Sequence, residues 1–166
     1  MLSEIIATLL FSLGATEVNT SKEFECLAKN IYFESRNQSS SGQIAVAMVT
    51  LNRVKDDRYP NTICGVVTQG YHSKWWKETH NKHVPIKHKC HFSWYCDGLS
   101  DRIRDKTAYE HAKKIANSAL SISNSNIDPT DGATHYHSKN VDPAWNKQKT
   151  YIGTIDDHLF YRWEKN

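Results

Sequence analysis

Apolar residues in the first part of the chain recur at helical spacing. Thr20-Ser-Lys-Glu23 reads as a capping box, and Phe24, Leu27, Ala28 and Ile31 then occupy the i, i+3, i+4 and i+7 positions of one buried face. This pattern predicts a helix that runs to about Ser35 and stops in Arg36-Asn37-Gln38. Ser40-Ser-Gly-Gln43 gives a second capping signal before Ile44, Ala47, Met48, Leu51 and Val54. Val46 and Val49 lie on the other side of that helix, so it is apolar nearly all round and belongs at the centre. Pro60 suits the first turn of a short third helix through Ile63, Val66 and Val67, ended by Gly70. Asp105 caps a fourth helix carrying Ala108, Ala112, Ile115, Ala116 and Ala119 on one side. Tyr71 to Asp101 has no clean period and reads as long loops with short turns. The tail after Asn124 is rich in turn residues, with short strands expected near Ala133-Thr-His-Tyr-His137, Ile152-Gly and Leu159-Phe-Tyr161.

The fold class expected is therefore α+β, mainly helical with a minor β part at the C-terminal end. The chain has 166 residues, enough for one domain over 21–166 with a real core and one cleft. Residues 1–20 read either as an export signal or as an N-terminal helix packed on the domain. Ile5 to Leu13 is apolar apart from Thr8 and Ser12, and Ala15 suits a cleavage site, but Glu4 stands where a basic residue is usual. The signal is the favoured reading, and the stretch is too short to span a bilayer.

With 39% hydrophobic and 23% charged residues the composition is globular, which excludes a disordered or membrane-embedded chain. The net charge of +3 suits an anionic polymer but is too small to argue for nucleic acid. Four cysteines permit three pairings, and none forms a C-x-x-C motif. Cys90 and Cys96 bracket a segment that a local disulfide would close, leaving Cys26 and Cys64 as the long-range pair; four reduced, buried thiols are the alternative. Two disulfides are favoured and imply an oxidising compartment.

The chemistry centres on Glu34. It follows Leu27 by seven positions and Ile31 by three, so it continues the apolar face of the first helix. A carboxyl group there is partly desolvated, which raises its pKa and favours the protonated form that a general acid needs. The plain alternative is a helix-end glutamate tilted into solvent or paired with Arg36.

Several words of the sequence settle the balance. Cys26-Leu-Ala-Lys-Asn-Ile-Tyr-Phe-Glu-Ser-Arg36, Gly42-Gln-Ile-Ala-Val-Ala47 and Leu51-Asn-Arg-Val54 resemble the cell-wall hydrolase family that includes the spore cortex-lytic enzymes. The resemblance continues through Tyr59-Pro-Asn-Thr-Ile-Cys-Gly-Val-Val67, Cys90-His-Phe-Ser-Trp-Tyr-Cys-Asp-Gly-Leu-Ser-Asp101, Gly132-Ala-Thr-His-Tyr-His137, Pro143-Ala-Trp145 and His158-Leu-Phe-Tyr161. It covers nearly all of the chain after Phe24, with the motifs in order. It implies a lysozyme-like, lytic transglycosylase-like fold acting on the β-1,4 bond between N-acetylmuramic acid and N-acetylglucosamine, with the family's catalytic glutamate at Glu34. This sequence departs from the family at Gln38, where a second glutamate is usual.

A lytic transglycosylase needs one carboxylate, whereas hydrolysis by the usual glycosidase routes employs two. One strong candidate plus Gln38 favours the first route, with a hydrolytic muramidase using Asp97, Asp101 or Asp131 as the alternative. Phe92, Trp94 and Trp145 are candidates for stacking on sugar faces, with core packing as the alternative for each. Gln43, Asn52, Ser93, Thr134 and Tyr136 are candidates for hydrogen bonds to acetamido groups, and Tyr136 also for stabilising charge near the scissile bond. His135 and His137 would face one side of a strand, as a zinc amidase requires, but no third ligand or H-E-x-x-H motif accompanies them. No metal and no cofactor are expected. The expected partner is the peptidoglycan glycan strand, handled by a monomer that is secreted, periplasmic or wall-associated, including phage-encoded release at lysis. A wall-binding module without catalysis is the third reading.

Overall fold

The second helix lies at the centre, as its all-round apolar surface requires. The computed structural model describes residues 20–165, so the expected export segment lies outside the described residues except for Thr20. The chain is helical over 20–35 (α1), and then forms α2 (Ser40–Lys55) and α3 (Ile63–Val67). Next come β1 (Gly70–His72), α4 (Lys74–His80), β2 (Pro85–Cys90) and a 3-10 turn over Ser93–Cys96. After α5 (Lys106–Asn124) follow β3 (His135–Ser138), a 3-10 turn over Ala144–Gln148, β4 (Thr150–Ile155) and β5 (His158–Arg162).

One face of α2 supplies Ala47, Met48 and Leu51 to a helical core with Leu27, Ala28, Ile31 and Tyr32 of α1, Ile63 and Val67 of α3, and Ala112, Ile115, Ala116 and Ala119 of α5. The other face puts Ala45, Val46 and Val49 against Ala133 and Phe160, beneath an antiparallel sheet of order β3-β5-β4. A two-sided apolar helix between a helical layer and a sheet is one way to meet the requirement that each apolar face be buried. Leu27, Ile31, Val46, Met48 and Val49 have no exposed surface, and each full burial contributes roughly 1.5–3 kcal/mol.

The α+β class is as expected, but several boundaries differ for physical reasons. Residue 20 is already helical, and the carboxylate of Glu23 accepts the N–H of Cys64 at 3.0 Å, across to α3. The cap of α2 is Ser39 rather than Ser40: its hydroxyl accepts from Gly42 N at 3.2 Å. Asp156, from the β4–β5 turn, accepts from Ser39 N at 2.9 Å, so a tertiary contact does what a local glutamate does in a capping box. Thr62 caps α3, which leaves Pro60 ahead of the helix, and Gly70 opens β1 instead of ending α3. Asp105 caps α5 as expected, accepting from Ala108 N at 2.9 Å.

The largest departure lies in the stretch read as loops. β1 and β2 pair antiparallel, Gly70 with Cys90 and His72 with Pro85, and α4 forms between them. No residue of α4 is buried, so its sequence needs no apolar period and shows none. Both favoured disulfides are formed: Cys26–Cys64 joins α1 to α3 and Cys90–Cys96 joins β2 to the following 3-10 turn.

Candidate active site

α1 delivers Glu34 at its C-terminal end, where Ser35 turns its hydroxyl back to the carbonyl of Ile31 at 3.0 Å. Glu34 is half-buried and faces a cleft of about 800 Å³ lined also by Tyr32, Phe33, Ser93, Trp94, Asp97 and Asp101. The β3 strand brings up Tyr136, whose hydroxyl donates to Glu34 Oε2 at 2.6 Å across 102 positions of sequence. Burial raises the Glu34 pKa, outweighing the Tyr136 hydrogen bond and the positive charge of Arg53, both of which lower it. Burial and the neighbouring Glu34 push the Tyr136 pKa well above its ordinary value. The phenol therefore remains a proton-bearing donor while the carboxyl group changes state.

Arg53 is the residue that sequence reading did not single out. It projects from the buried part of α2 with 6% of its surface exposed, and its Nε donates to the carbonyl of Thr134 at 2.7 Å. The guanidinium lies 5.1 Å from the Phe92 ring centre and 5.4 Å from that of Tyr59. Its Nη1 is buried without a protein partner, which leaves part of this charge uncompensated next to the site. The signal was available as a charge on the apolar α2, whose other charge, Lys55, stands at its very end. On α1, Asn30 is a buried polar residue three positions after Leu27. Its side chain donates to Thr50 Oγ1 at 3.1 Å and accepts the indole N–H of Trp94 at 2.8 Å. With Phe33 stacked on one face of Trp94 at 4.6 Å, the indole is a fixed wall of the cleft.

The structure thus gathers Glu34, Tyr136, Ser93 and Trp94 at one place. Phe92 takes the core-packing alternative, 2% exposed under Arg53. Thr134 is buried: its hydroxyl meets His135 Nδ1 at 2.9 Å and its carbonyl holds Arg53. Gln43 is 3% exposed, donating to the carbonyl of Gln38 at 3.0 Å while its Oε1 has no protein partner. Asn52 donates to Asp128 Oδ2, Thr130 Oγ1 and the carbonyl of Ala133, and it borders a separate hollow of about 380 Å³. Trp145 lies with His135, His137 and Tyr161 beside the sheet, its ring centre 5.2–5.5 Å from theirs. Gln38 accepts from Asp157 N at 3.3 Å, holding the β4–β5 turn.

The two imidazoles of β3 have different surroundings. His137 donates from Nδ1 to the Ser138 carbonyl and its Nε2 lies 3.1 Å from the Tyr161 hydroxyl, so both its nitrogens are engaged. Burial, with Arg53 and Lys149 nearby, lowers the His135 pKa to about 3, which keeps it neutral. Among the described residues, no group of three or more His, Cys, Asp or Glu side chains is arranged to hold a metal ion.

A family model described as Cell Wall Hydrolase matches residues 37–161, a span that begins just after Glu34. A spore cortex-lytic enzyme of Halalkalibacterium halodurans is 25% identical over 139 residues, covering 83% of this chain and 34% of that protein. A spore cortex-lytic enzyme of Bacillus cereus is 44% identical over 45 residues, covering 27% of this chain and 17% of that protein. The chain therefore spans at most about a third of the length of these curated relatives. Among solved structures, the catalytic domain of the Bacillus cereus SleB protein matches with a TM-score of 0.60 at 26% identity, covering 86% of this chain and 91% of the other. The catalytic domain of the germination-specific lytic transglycosylase SleB from Bacillus anthracis matches at the same TM-score and 27% identity, covering 84% and 93%.

Proposed function

Given that the chain belongs to the cell wall hydrolase family, we propose that it cleaves peptidoglycan glycan strands between N-acetylmuramic acid and N-acetylglucosamine, as a lytic transglycosylase with Glu34 as acid and then base. The observation that carries this reading is the Glu34–Tyr136 pair at the cleft. Burial favours a protonated carboxyl group there, while Tyr136 occupies Oε2 and leaves Oε1 to carry the proton. In the first step Glu34 donates that proton to the glycosidic oxygen as its bond to C1 of the muramic acid breaks. The resulting carboxylate then takes the proton of the C6 hydroxyl as O6 bonds to C1. The 1,6-anhydro ring closes, no water is consumed and Glu34 ends protonated. Tyr136 stabilises the carboxylate between the two steps, because a donor to the charged form favours it.

Asp97 and Asp101 line the same cleft and support a second reading, hydrolysis with one of them activating water. Burial and the charge of Asp97 raise the Asp101 pKa, and Lys29 opposes them. Mass spectrometry of fragments released from purified sacculi separates the two. Anhydromuramic ends from the wild type and none from Glu34→Gln are expected. Reducing ends instead would move the reaction to hydrolysis, and undiminished release by Glu34→Gln would remove Glu34 from the mechanism.

The site of action under this proposal is the cell wall, outside the cytoplasmic membrane, where the two disulfides are stable. No helix among the described residues is long and apolar enough to cross a membrane.

A further inference from the structure

The β1–α4–β2 finger is unused by the chemistry above, and its composition is unlike that of the rest of the chain. Residues 70–90 hold Lys74, Lys77, Lys82, Lys87 and Lys89 against one acidic residue, Glu78. The finger therefore carries a net charge of +4, one more than the +3 of the whole chain, and everything outside it sums to slightly negative. All five lysines are exposed, and none forms a salt bridge among the described residues. Tyr71 is 72% exposed, Trp75 58% and Ile86 42%. Trp75, Trp76 and His80 gather with ring centres 4.6–5.1 Å apart, so the rings form one cluster rather than scattered surface residues. A positive surface interleaved with grouped rings, and left uncovered by the fold, is a binding face.

Its position relates it to the cleft. Cys90 at the end of β2 is bonded to Cys96 at the end of the 3-10 turn whose Ser93 and Trp94 line the cleft. Lys87 reaches the same turn region, its side chain lying against Gly98, where an added Cβ would stand 2.8 Å from Lys87 Cε. A polymer lying in the cleft and running past this turn would next meet the finger.

We propose that the finger is a docking surface for the carboxylate-bearing peptide stems of the peptidoglycan strand held in the cleft. This rests on the reading of the substrate given above. The lysines supply charge for stem carboxylates, and the tryptophans and Tyr71 supply flat faces for the sugar rings between them. A membrane surface fits less well. α4 has only seven residues, with the adjacent Trp75 and Trp76 flanked by Lys74 and Lys77, and in β2 Ile86 is followed by Lys87, His88 and Lys89, so neither element presents an extended apolar face to enter a bilayer.

The test measures binding without turnover, by co-sedimenting the full-length Glu34→Gln protein with purified sacculi stripped of secondary polymers. Binding that weakens with added salt is expected, because exposed charge pairs are screened. A variant also carrying Lys74→Gln, Lys82→Gln, Lys87→Gln and Lys89→Gln should bind about tenfold more weakly, the sum of four modest exposed pairs. The matching Lys→Arg variant should retain binding, which separates charge from damage to the fold. Amidating the sacculus carboxylates should weaken the parent protein to the level of the Gln variant. Equal sedimentation of the parent and the Gln variant, or tighter binding to anionic phospholipid vesicles than to sacculi, would overturn the proposal. Soluble fragments released by the Glu34→Gln protein during sedimentation would mark failure of the cleavage assignment, whereas the Lys→Gln and amidation comparisons test the finger alone, so the two failures are distinguishable.

Discussion

Gly42 lies in the first turn of α2, where alanine would ordinarily stabilise the helix by about 1 kcal/mol. Here the opposite sign is expected. A Cβ on residue 42 would stand 2.4 Å from Asp156 Oδ2 and 3.1 Å from Gln38 Cβ. Gly42→Ala must therefore expel the Asp156 carboxylate from the helix N-terminus. That breaks its contacts with Ser39 N at 2.9 Å and Ser39 Oγ at 2.6 Å. At this exposed site two hydrogen bonds and the charge–dipole attraction together contribute about 2 kcal/mol. Setting this loss against the helix-propensity gain leaves Gly42→Ala about 1 kcal/mol less stable than the wild type, or about 3 °C lower in Tm for a domain of this size. In an Asp156→Ala background the carboxylate is already gone and Gln38, at the exposed helix entrance, need give only a few tenths of an ångström, so the same substitution should raise stability by up to about 1 kcal/mol. Denaturant unfolding of the four proteins in this double-mutant cycle should therefore show a change of sign between backgrounds. If Gly42→Ala stabilises in both, the Asp156 carboxylate does not hold the entrance of α2 and the close approach has been misread.

Three further outcomes follow from the site and its bonds. Tyr136→Phe removes the donor that favours charged Glu34 while burial remains, so the alkaline limb of the pH–activity profile should move to higher pH; a limb that stays or moves lower would refute the pair. Because Glu34 has its pKa raised above 4.5, the folded protein holds that proton more tightly than the unfolded chain, and stability is lost as pH rises from 4.5 through the folded value. Glu34→Gln should thus gain stability over the wild type at neutral pH and lose the advantage below 4.5, read by urea midpoints; an equal difference at both would contradict a desolvated carboxyl group. Without reductant the mass should lie four hydrogens below the reduced form, and replacing Cys26 and Cys64 by Ser should cost about 3–4 kcal/mol for their 38-residue separation; no mass difference would remove both disulfides.

Features that depend on local periodicity and local chemistry were legible in the sequence. The helical spacing of Leu27, Ile31 and Glu34 fixed both the buried face of α1 and the fact that an acid lies on it. The apolar character of α2 on both sides required a central position with a layer against each face, and a helical layer and a sheet are found there. Asp105 was legible as a cap because its partner is three residues away.

Contacts between distant segments arise only when the chain folds. The Tyr136 bond to Glu34 spans 102 positions, the Arg53 bond to Thr134 spans 81, and the Asn30 bond to Trp94 spans 64. Nothing in the local sequence of either partner encodes those meetings, so Tyr136 was one of several hydrogen-bonding candidates and Arg53 was not singled out. Phe92 and Trp94 are two residues apart and equally aromatic, yet the 3-10 turn at Ser93 sends one under Arg53 and the other to the cleft wall. The finger escaped periodicity for the opposite reason. Burial imposes an apolar period, and α4 buries nothing.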